Sequence, residues 1–300
     1  MLSAGILFVA TLFSSELQVS GIFSAPNYTE IAATIVEHRP LQNLPHVFEN
    51  FLTQLPEEVL VYFFCSPESS YLINSELKST KLNKERVVFV ENYFGGLGPV
   101  TKMSKSVYNR LLLDHTFWSY FQQKQKSAVL VFESDAFLCE NPSRTLRDFL
   151  HFGYIGAPWV TRSCKTCKMK RLNHARNKDS LPIPVGNSGL SIMNTEIMLK
   201  VTSLYVKKRT RRLAVTTLLK GGCDVYISTI LQDSKFKFLF RNIGVASVEI
   251  SRLFSVESLH DDFYIPFGGH GPCAFANELR STCPQASKAC TQLRQNKHSA

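Results

Sequence analysis

Two carboxylates that follow an apolar run are the first residues whose types and spacing could do chemistry. Glu133 and Asp135 come directly after residues 128–132, whose sequence AVLVF predicts a buried strand. Carboxylate oxygens are hard ligands that suit Mg²⁺ or Mn²⁺, and such an ion can bridge the oxygens of a diphosphate. The pair therefore predicts a metal site, although acidic residues at strand ends are also common as solvated caps.

Two further residues, His270 and Asp224, lie much later in the chain and could act with this pair. His270 lies between Gly269 and Gly271, where little apolar periodicity would bury it, and a neutral imidazole can act as a metal ligand, whereas a lone histidine is usually structural or exposed. Asp224 opens an amphipathic run that predicts the start of a helix. Its carboxylate is interpreted either as the general base of a transfer reaction or as an ordinary helix N-cap.

The elements that must position these residues alternate along the chain. Residues 31–36, 59–64, 87–90 and 128–132 predict strands, and residues 104–121 predict one helix. A further helix is expected after Asn43, its predicted N-cap, with Pro45 in the first turn. This order predicts an α/β fold with a mostly parallel central sheet flanked by helices, in which ligands bind outside the carboxyl ends of the strands. We therefore expect Asp135 and His270 to converge at one edge of the sheet.

A second polar segment has the composition of a sugar-binding loop. Gly186, Asn187, Ser188 and Gly189 precede the apolar run at residues 190–193. Small residues let the backbone approach a sugar closely, and the amide and hydroxyl can bind sugar hydroxyls. The alternative is a simple turn before a buried strand. Trp159 could stack on a sugar ring or pack in the core.

The formal net charge of +10 favours anionic partners. Basic residues fall in two stretches, residues 162–178 and the sequence KKRTRR at residues 207–212. The first is predicted to be a loop in which Lys165, Lys168 and Lys170 contact a diphosphate, and the second is interpreted as solvated surface. A nucleic-acid-binding protein is the rival interpretation, but the basic stretches carry no interleaved aromatic residues that could stack on bases.

The cysteines and the N-terminal segment indicate the cellular compartment in which the protein works. The eight cysteines form an even set whose later members could pair in an oxidising compartment, whereas Cys164 and Cys167 form a CxxC that lacks the second close pair of a zinc ribbon. Residues 1–25 resemble a signal peptide without its basic region and are too short in apolar sequence to span a membrane. We expect the secretory pathway, with a cytosolic chain as the alternative. Residues 26–275 are assigned to one domain and residues 276–300 to a C-terminal tail.

Several motifs, taken in order, resemble those of a known family. They are IVEHRP at residues 35–40, ESD at 133–135, YIGAPW at 154–159, GNSGLS at 186–191, DVY at 224–226, FSVE at 254–257 and PFGGH at 266–270. Over most of residues 31–271 the chain is similar to the DUF5672 family, which is interpreted as a family of GT-A-like glycosyltransferases. The resemblance implies the GT-A (nucleotide-diphospho-sugar transferase) fold and transfer of a sugar from a nucleotide-sugar donor to a glycan, protein or lipid acceptor, assisted by Mn²⁺ or Mg²⁺.

The resemblance also implies roles for particular residues. In GT-A enzymes the first strand and its turn meet the nucleotide, which implies donor contacts for Val36, Glu37 and Arg39, and for Ser134 in the acidic motif. A late histidine often completes the metal site in such enzymes, which implies this role for His270.

Asp224 is implied as the base of an inverting reaction, but the chain departs from the family pattern at two places. Cys223 stands where an acidic pair is expected, and Gly271 begins a segment where a basic or aromatic residue is expected. These departures leave open a catalytically inactive, carbohydrate-binding relic of the same fold.

Overall fold

A computed structural model describes residues 25–80, 82–97, 104–158, 185–210, 222–232, 239–240, 244–257 and 263–298. Several sequence-based expectations concern residues outside these ranges. They are the signal peptide, the Trp159 contact, the basic loop with Lys165, Lys168 and Lys170, and the CxxC pair.

The described strands build a larger and a smaller sheet. The strands are β1 (Ile31–Glu37), β2 (Leu60–Cys65), β3 (Val87–Glu91), β4 (Ala128–Phe132), β5 (Ala136–Leu138), β6 (Tyr154–Pro158), β7 (Val185–Asn194), β8 (Ser255–Val256) and β9 (Gly268–His270). The larger sheet has the order β3-β2-β1-β4-β7-β6. Strands β1 to β4 pair in parallel, and β7 runs antiparallel to both of its neighbours. The predicted α/β class with a mostly parallel central sheet is therefore confirmed.

Helices cover both faces of the larger sheet. They are α1 (Leu44–Gln54), α2 (Pro67–Ser79), α3 (Lys105–Leu112), α4 (His115–Gln123), α5 (Thr195–Thr210), α6 (Cys223–Gln232), α7 (Val248–Phe254) and α8 (Pro284–His298). Successive residues of β1 point to opposite faces, so Ile31, Ala33 and Ile35 pack with α1, α2 and α7. Ala32 and Val36 pack with α3 to α6 on the other face. Because both faces are buried, β1 is apolar almost throughout.

The helical conformation predicted over residues 104–121 is confirmed, but the chain forms two helices there. Asp114 lies between α3 and α4, and its carboxylate accepts a hydrogen bond from the backbone N–H of Thr116 at 2.7 Å. This bond caps the start of α4. The indole N–H of Trp118 donates to the carbonyl of Leu112 at 2.8 Å, which satisfies a carbonyl at the end of α3. The break is therefore stabilised from both sides.

The smaller sheet has the order β5-β9-β8 and connects the C-terminal segment to the domain. Disulfides join Cys139 to Cys283 and Cys273 to Cys290. Residues after 275, which the sequence assigns to a tail, thus include α8 and are covalently tied to the strands. Within the described ranges, no helix has both the length and the apolar character that crossing a bilayer requires.

Candidate metal and donor site

The acidic turn between β4 and β5 is held by three hydrogen bonds. The backbone N–H of Glu133 donates to the carbonyl of Gly189 at 2.9 Å, and the N–H of Ala136 donates back to the carbonyl of Glu133 at 3.0 Å. The side-chain amide of Asn43 donates to the carbonyl of Ser134 at 2.6 Å. Asn43 is the N-cap of α1, as predicted, but its side chain makes no capping bond to that helix. Its buried amide instead fixes the acidic turn to the start of that helix.

The smaller sheet brings His270 to this turn. His270 pairs with Ala136 in the antiparallel ladder of β5 and β9, which places its side chain beside Asp135. The Nε2 atom of His270 lies 3.1 Å from Oδ1 of Asp135 and 3.4 Å from Oε2 of Glu133. The predicted convergence of Asp135 and His270 is therefore confirmed, whereas their role as metal ligands stays a prediction.

The donor set of this cluster fits a divalent cation. One ligand atom each from Glu133, Asp135 and His270 lies within 4.8 Å of the others. Two carboxylate oxygens and an imidazole nitrogen are ligands that Mn²⁺ accepts, and the two carboxylates also suit Mg²⁺. The cluster, called the acidic cluster below, could hold such an ion at the carboxyl end of β4.

The electrostatics of the acidic cluster favour positive charge. Burial alone would lower the pKa of His270, but hydrogen bonds to Asp135 and Glu133 outweigh it and raise the pKa to about 10. Burial alone would raise the pKa of Asp135, but the hydrogen bond to His270 and the positive charges of His270 and Arg39 lower it. Two carboxylates therefore stabilise a cation at this place, and a metal ion that binds there must displace a proton from the imidazole.

Gly189 is required by the position of the imidazole. A Cβ atom built on Gly189 would overlap the ring of His270 at Cδ2, Cγ and Nε2. Gly186 has φ +121°, and a Cβ there would overlap the ring of Tyr154. Both glycines of the polar segment thus face protein side chains at close range. Their proposed contacts with a sugar stay predictions.

A cavity of about 360 Å³ opens beside the acidic cluster and collects most of the predicted site. Its lining includes the predicted residues Val36, Glu37, Arg39, Glu133, Ser134, Asn187, Ser188, Asp224 and His270. It also includes residues to which sequence reasoning assigned no role: Ser104, Lys105, Tyr108, Asn109, Gly222 and Glu257. Segments distant in sequence, from the end of β1 to the end of β9, therefore meet around one space.

Arginine and lysine side chains line one part of this cavity. Arg39 makes a bidentate ion pair with Glu37, with bonds of 2.8 Å from Nε and 2.6 Å from a terminal nitrogen. The hydrogen bond to Glu37 raises the pKa of Arg39, and the charges of Asp135 and Glu133 add to this effect. Since 62% of the Arg39 side chain is exposed, the guanidinium can also reach a ligand. Lys105 contributes a second cation at the start of α3.

Asp224 lies in the first turn of α6. The residue before this helix, Gly222, has φ +105°, and the N–H of Cys223 donates to the side-chain oxygen of Asn109 at 3.3 Å. Oδ1 of Asp224 accepts a hydrogen bond from the N–H of Val225 at 2.8 Å. Burial, partly offset by that bond, raises the pKa of Asp224 to about 6. A carboxyl group with this pKa can take up a proton near neutral pH, as a general base must.

Two residues of the lining add polar groups close to the acidic cluster. Burial raises the pKa of Tyr108 well above its usual value, and the charge of Glu133 adds to the effect, so the phenol is neutral. Glu257 follows β8, and its Oε1 accepts a hydrogen bond from the amide of Asn187 at 2.9 Å. Glu257 belongs to the FSVE motif, so a signal was present in the sequence, but only the pairing of β8 with β9 places it at the cavity.

Comparison with known proteins identifies the family. The sequence model of the family described as "Protein of unknown function (DUF5672)" matches residues 99–270, which is more than half of the chain. The chain belongs to this family, as the motifs predicted. Among curated proteins, none matches the sequence.

The solved structures that are similar in fold to this chain include three enzymes. A mannosyltransferase from Pyrobaculum calidifontis, in complex with GDP-Man and Mn²⁺, is 10% identical with a TM-score of 0.38, and the match covers 75% of this chain and 60% of that one. Core-mannan synthase A from Aspergillus fumigatus, in an Mn/GDP form, is 13% identical with a TM-score of 0.45, and the match covers 70% of each chain. The galactosyltransferase LgtC, in complex with donor and acceptor sugar analogues, is 11% identical with a TM-score of 0.42, and the match covers 87% of this chain and 94% of that one. The chain thus spans 60% of the length of the first enzyme.

Proposed function

We propose that this chain is a metal-dependent glycosyltransferase of the GT-A type, which transfers a sugar from a nucleotide-sugar donor to an acceptor hydroxyl. The observation that carries the proposal is the acidic cluster, formed by Glu133, Asp135 and His270, at the edge of a cavity that Asp224 also lines. One space then offers ligands for a cation and a separate carboxyl group that can accept a proton near neutral pH. These are the two groups that an inverting sugar transfer requires from the protein.

The donor occupies the part of the cavity at the end of β1. Val36, Glu37 and Arg39 line this part and contact the nucleoside, and Ser134 lies beside them in the acidic turn. Arg39 also brings positive charge toward the diphosphate, and so does Lys105, which lines the same cavity. The acidic cluster would hold Mn²⁺ or Mg²⁺, and the bound ion would stabilise the negative charge that develops on the leaving nucleoside diphosphate.

The acceptor approaches from the side of α6. Asp224 takes the proton of the acceptor hydroxyl while the acceptor oxygen forms its bond to the anomeric carbon. The bond between that carbon and the diphosphate oxygen breaks, and the diphosphate leaves with the electron pair. Asn187 and Ser188 orient the transferred sugar through its hydroxyls, because both line the same cavity as Asp224 and His270. The acceptor is a glycan, a protein or a lipid.

We further propose that the enzyme works in the secretory pathway. The disulfides between Cys139 and Cys283 and between Cys273 and Cys290 support this compartment, because disulfides persist where the environment is oxidising. A mass measurement of the protein purified under non-reducing conditions would show whether the four thiols are oxidised in cells.

A screen of nucleotide-sugars tests the reaction class and the donor together. We expect one or a few nucleotide-sugars to be hydrolysed slowly, and only when Mn²⁺ or Mg²⁺ is present. EDTA should stop the reaction, and an added divalent ion should restore it. Binding of a donor without hydrolysis or transfer would instead identify a carbohydrate-binding relic. If the protein bound neither nucleotide-sugars nor nucleoside diphosphates in the presence of Mn²⁺, the proposed function would be wrong.

A further inference from the structure

The pairing of β8 with β9 places a second carboxylate behind the imidazole of the acidic cluster. These short strands run in parallel, with Ser255 opposite Gly268 and Val256 opposite Gly269. The next residue on each side is Glu257 and His270. The last residues of the FSVE and PFGGH segments are thirteen positions apart in sequence, and this pairing brings them side by side at the same end of the smaller sheet.

The two nitrogens of His270 face different carboxylates. Nε2 faces Asp135 and Glu133 in the acidic cluster, whereas Nδ1 lies 3.9 Å from Oε1 of Glu257. Nδ1 is buried and makes no hydrogen bond to any residue that the structure describes, and the same holds for Oε2 of Glu257. A buried donor without a partner is unfavourable, so a small movement that closes this gap would stabilise the site.

Glu257 is itself held in place by a chain of short hydrogen bonds. Its Oε1 accepts from the side-chain amide of Asn187 at 2.9 Å. The side-chain oxygen of Asn187 accepts from the backbone N–H of Gly189 at 2.7 Å. Gly189 packs directly against the ring of His270. The imidazole is thus enclosed by backbone on one side and by an anchored carboxylate on the other.

We infer that Glu257 is a positioning residue that accepts a hydrogen bond from Nδ1 of His270 and so presents Nε2 to the cation in the acidic cluster. The inference rests on the proposed function, because it takes His270 as a metal ligand. A carboxylate on the far nitrogen fixes the tautomer and the ring orientation of a ligand histidine and makes its other nitrogen a better donor. Asn187 acts through Glu257, which gives the polar segment at residues 186–189 a role in metal binding.

Three variants separate orientation from charge. Glu257→Ala removes the carboxylate, and Glu257→Gln keeps a side-chain oxygen of nearly the same size that can accept the bond. Asp224→Asn also removes one carboxylate from the same cavity without contacting His270, so it measures the effect of charge alone. Thermal unfolding of each variant shows whether the fold survives. Titration with Mn²⁺, followed by the electron paramagnetic resonance signal of the free ion, gives the affinity.

We expect Glu257→Ala to bind Mn²⁺ about 10–100-fold more weakly than the unchanged protein, the usual effect of losing such a partner. Glu257→Gln should recover part of that loss, and Asp224→Asn should lose much less than Glu257→Ala. If Glu257→Ala and Asp224→Asn lost the same amount, Glu257 would act only through its charge and the inference would be overturned, while the metal site itself would stand.

A second measurement does not depend on metal. The ring N–H protons of His270, observed by NMR without added ions, should include one that Glu257 protects from exchange with water. We expect Glu257→Ala and Glu257→Leu to lose that protection and Glu257→Gln to keep part of it. If the unchanged protein bound no Mn²⁺, the proposed function would fail, and the N–H protection would still decide the contact. Unchanged protection in both apolar variants would overturn the inference.

Discussion

Replacing Asp224 with asparagine tests the proposed base more sharply than any other change. The amide is close in size to the carboxylate but cannot accept the proton of an acceptor hydroxyl. We expect Asp224→Asn to slow sugar transfer by about 10²-fold or more, the usual scale of a lost general base. Binding of the nucleoside diphosphate with Mn²⁺ should change little, because the acidic cluster does not include Asp224. Transfer by the unchanged protein should fall as the pH drops below about 6, where the carboxyl group takes up a proton.

The same change has a second effect, on stability, whose size follows from the pKa. Burial raises the pKa of Asp224 from 3.8 to about 6, so the folded protein favours the protonated form. The stability that this preference gives is fully present below pH 3.8 and is lost as the pH rises through 6. A pKa raised by roughly 2 corresponds to at most about 3 kcal/mol in the free energy of unfolding. Asparagine does not ionise, so Asp224→Asn should gain up to about this amount relative to the unchanged protein between pH 4 and pH 8.

Two assays read out these effects. Product formation from the donor found in the screen gives the transfer rate, and urea unfolding at pH 4 and at pH 8 gives the free energy of unfolding. Glu85→Gln is a suitable control, because it removes an exposed carboxylate outside the cavity lining and should leave the transfer rate unchanged. If Asp224→Asn transferred sugar at the normal rate, Asp224 would not be the base. If the difference in unfolding free energy between Asp224→Asn and the unchanged protein did not depend on pH, the claim that burial raises the pKa of Asp224 would be wrong as well.

Three further changes test other parts of the site. Asp135→Asn should weaken Mn²⁺-dependent binding of the nucleoside diphosphate by at least about tenfold in calorimetry, and an unchanged affinity would exclude it as a ligand. Gly189→Ala should push the ring of His270 aside and lower Mn²⁺ affinity. Gly271→Ala is its control: Gly271 has φ +65° but no atom near its Cβ position, so this change should affect only stability, by roughly 1 kcal/mol. Equal Mn²⁺ affinities for the two variants would contradict the close packing of Gly189 against His270. Lys105→Ala should weaken binding of the nucleoside diphosphate and reduce the salt dependence of that affinity, and a salt dependence that stayed the same would exclude contact with the diphosphate.

The parallel strands β1 to β4 of the larger sheet could be predicted from sequence because they are apolar, and β1, β2 and β4 are buried on both faces. Such strands are continuous apolar runs, and residues 31–36, 59–64, 87–90 and 128–132 indeed fall within β1 to β4 or within one residue of their ends. The smaller sheet carries no such signal. Strands β5, β8 and β9 are two or three residues long, and they exist only because the chain around them is already in place. Helical periodicity also leaves out two details of the helices: the bond from Trp118 to Leu112 across the break before α4, and the contact of the Asn43 amide with Ser134.

The contrast between strands with an apolar signal and short strands without one also explains which residues of the candidate site could be predicted. Glu133 and Asp135 follow a recognisable strand, so their place at its carboxyl end could be read from the sequence. His270 and Asp224 were singled out mainly through the family resemblance, and the structure brings both to the cavity that Glu133 lines. Glu257 had a motif but no role, because its partner is thirteen residues away in sequence and adjacent only in the smaller sheet.

The residues that α3 contributes to the cavity show what signal could have been used. Ser104, Lys105, Tyr108 and Asn109 are spaced at intervals of one, three or four positions, so they share one face of a helix and can line one wall. A helix that packs onto a sheet carries an apolar stripe, and the prediction for residues 104–121 assigned no role to the polar residues beside it. A helix that lines a cavity needs a second stripe of polar residues on an adjacent face, and such a stripe ordinarily indicates nothing more than exposure to solvent. Here the position of the stripe decides its meaning, because the first turns of α3 line the cavity and Asn109 accepts a hydrogen bond from the N–H of Cys223 at the start of α6. Polar residues of a short helix are therefore candidates for a binding site when a predicted site lies at the end of the adjoining strands.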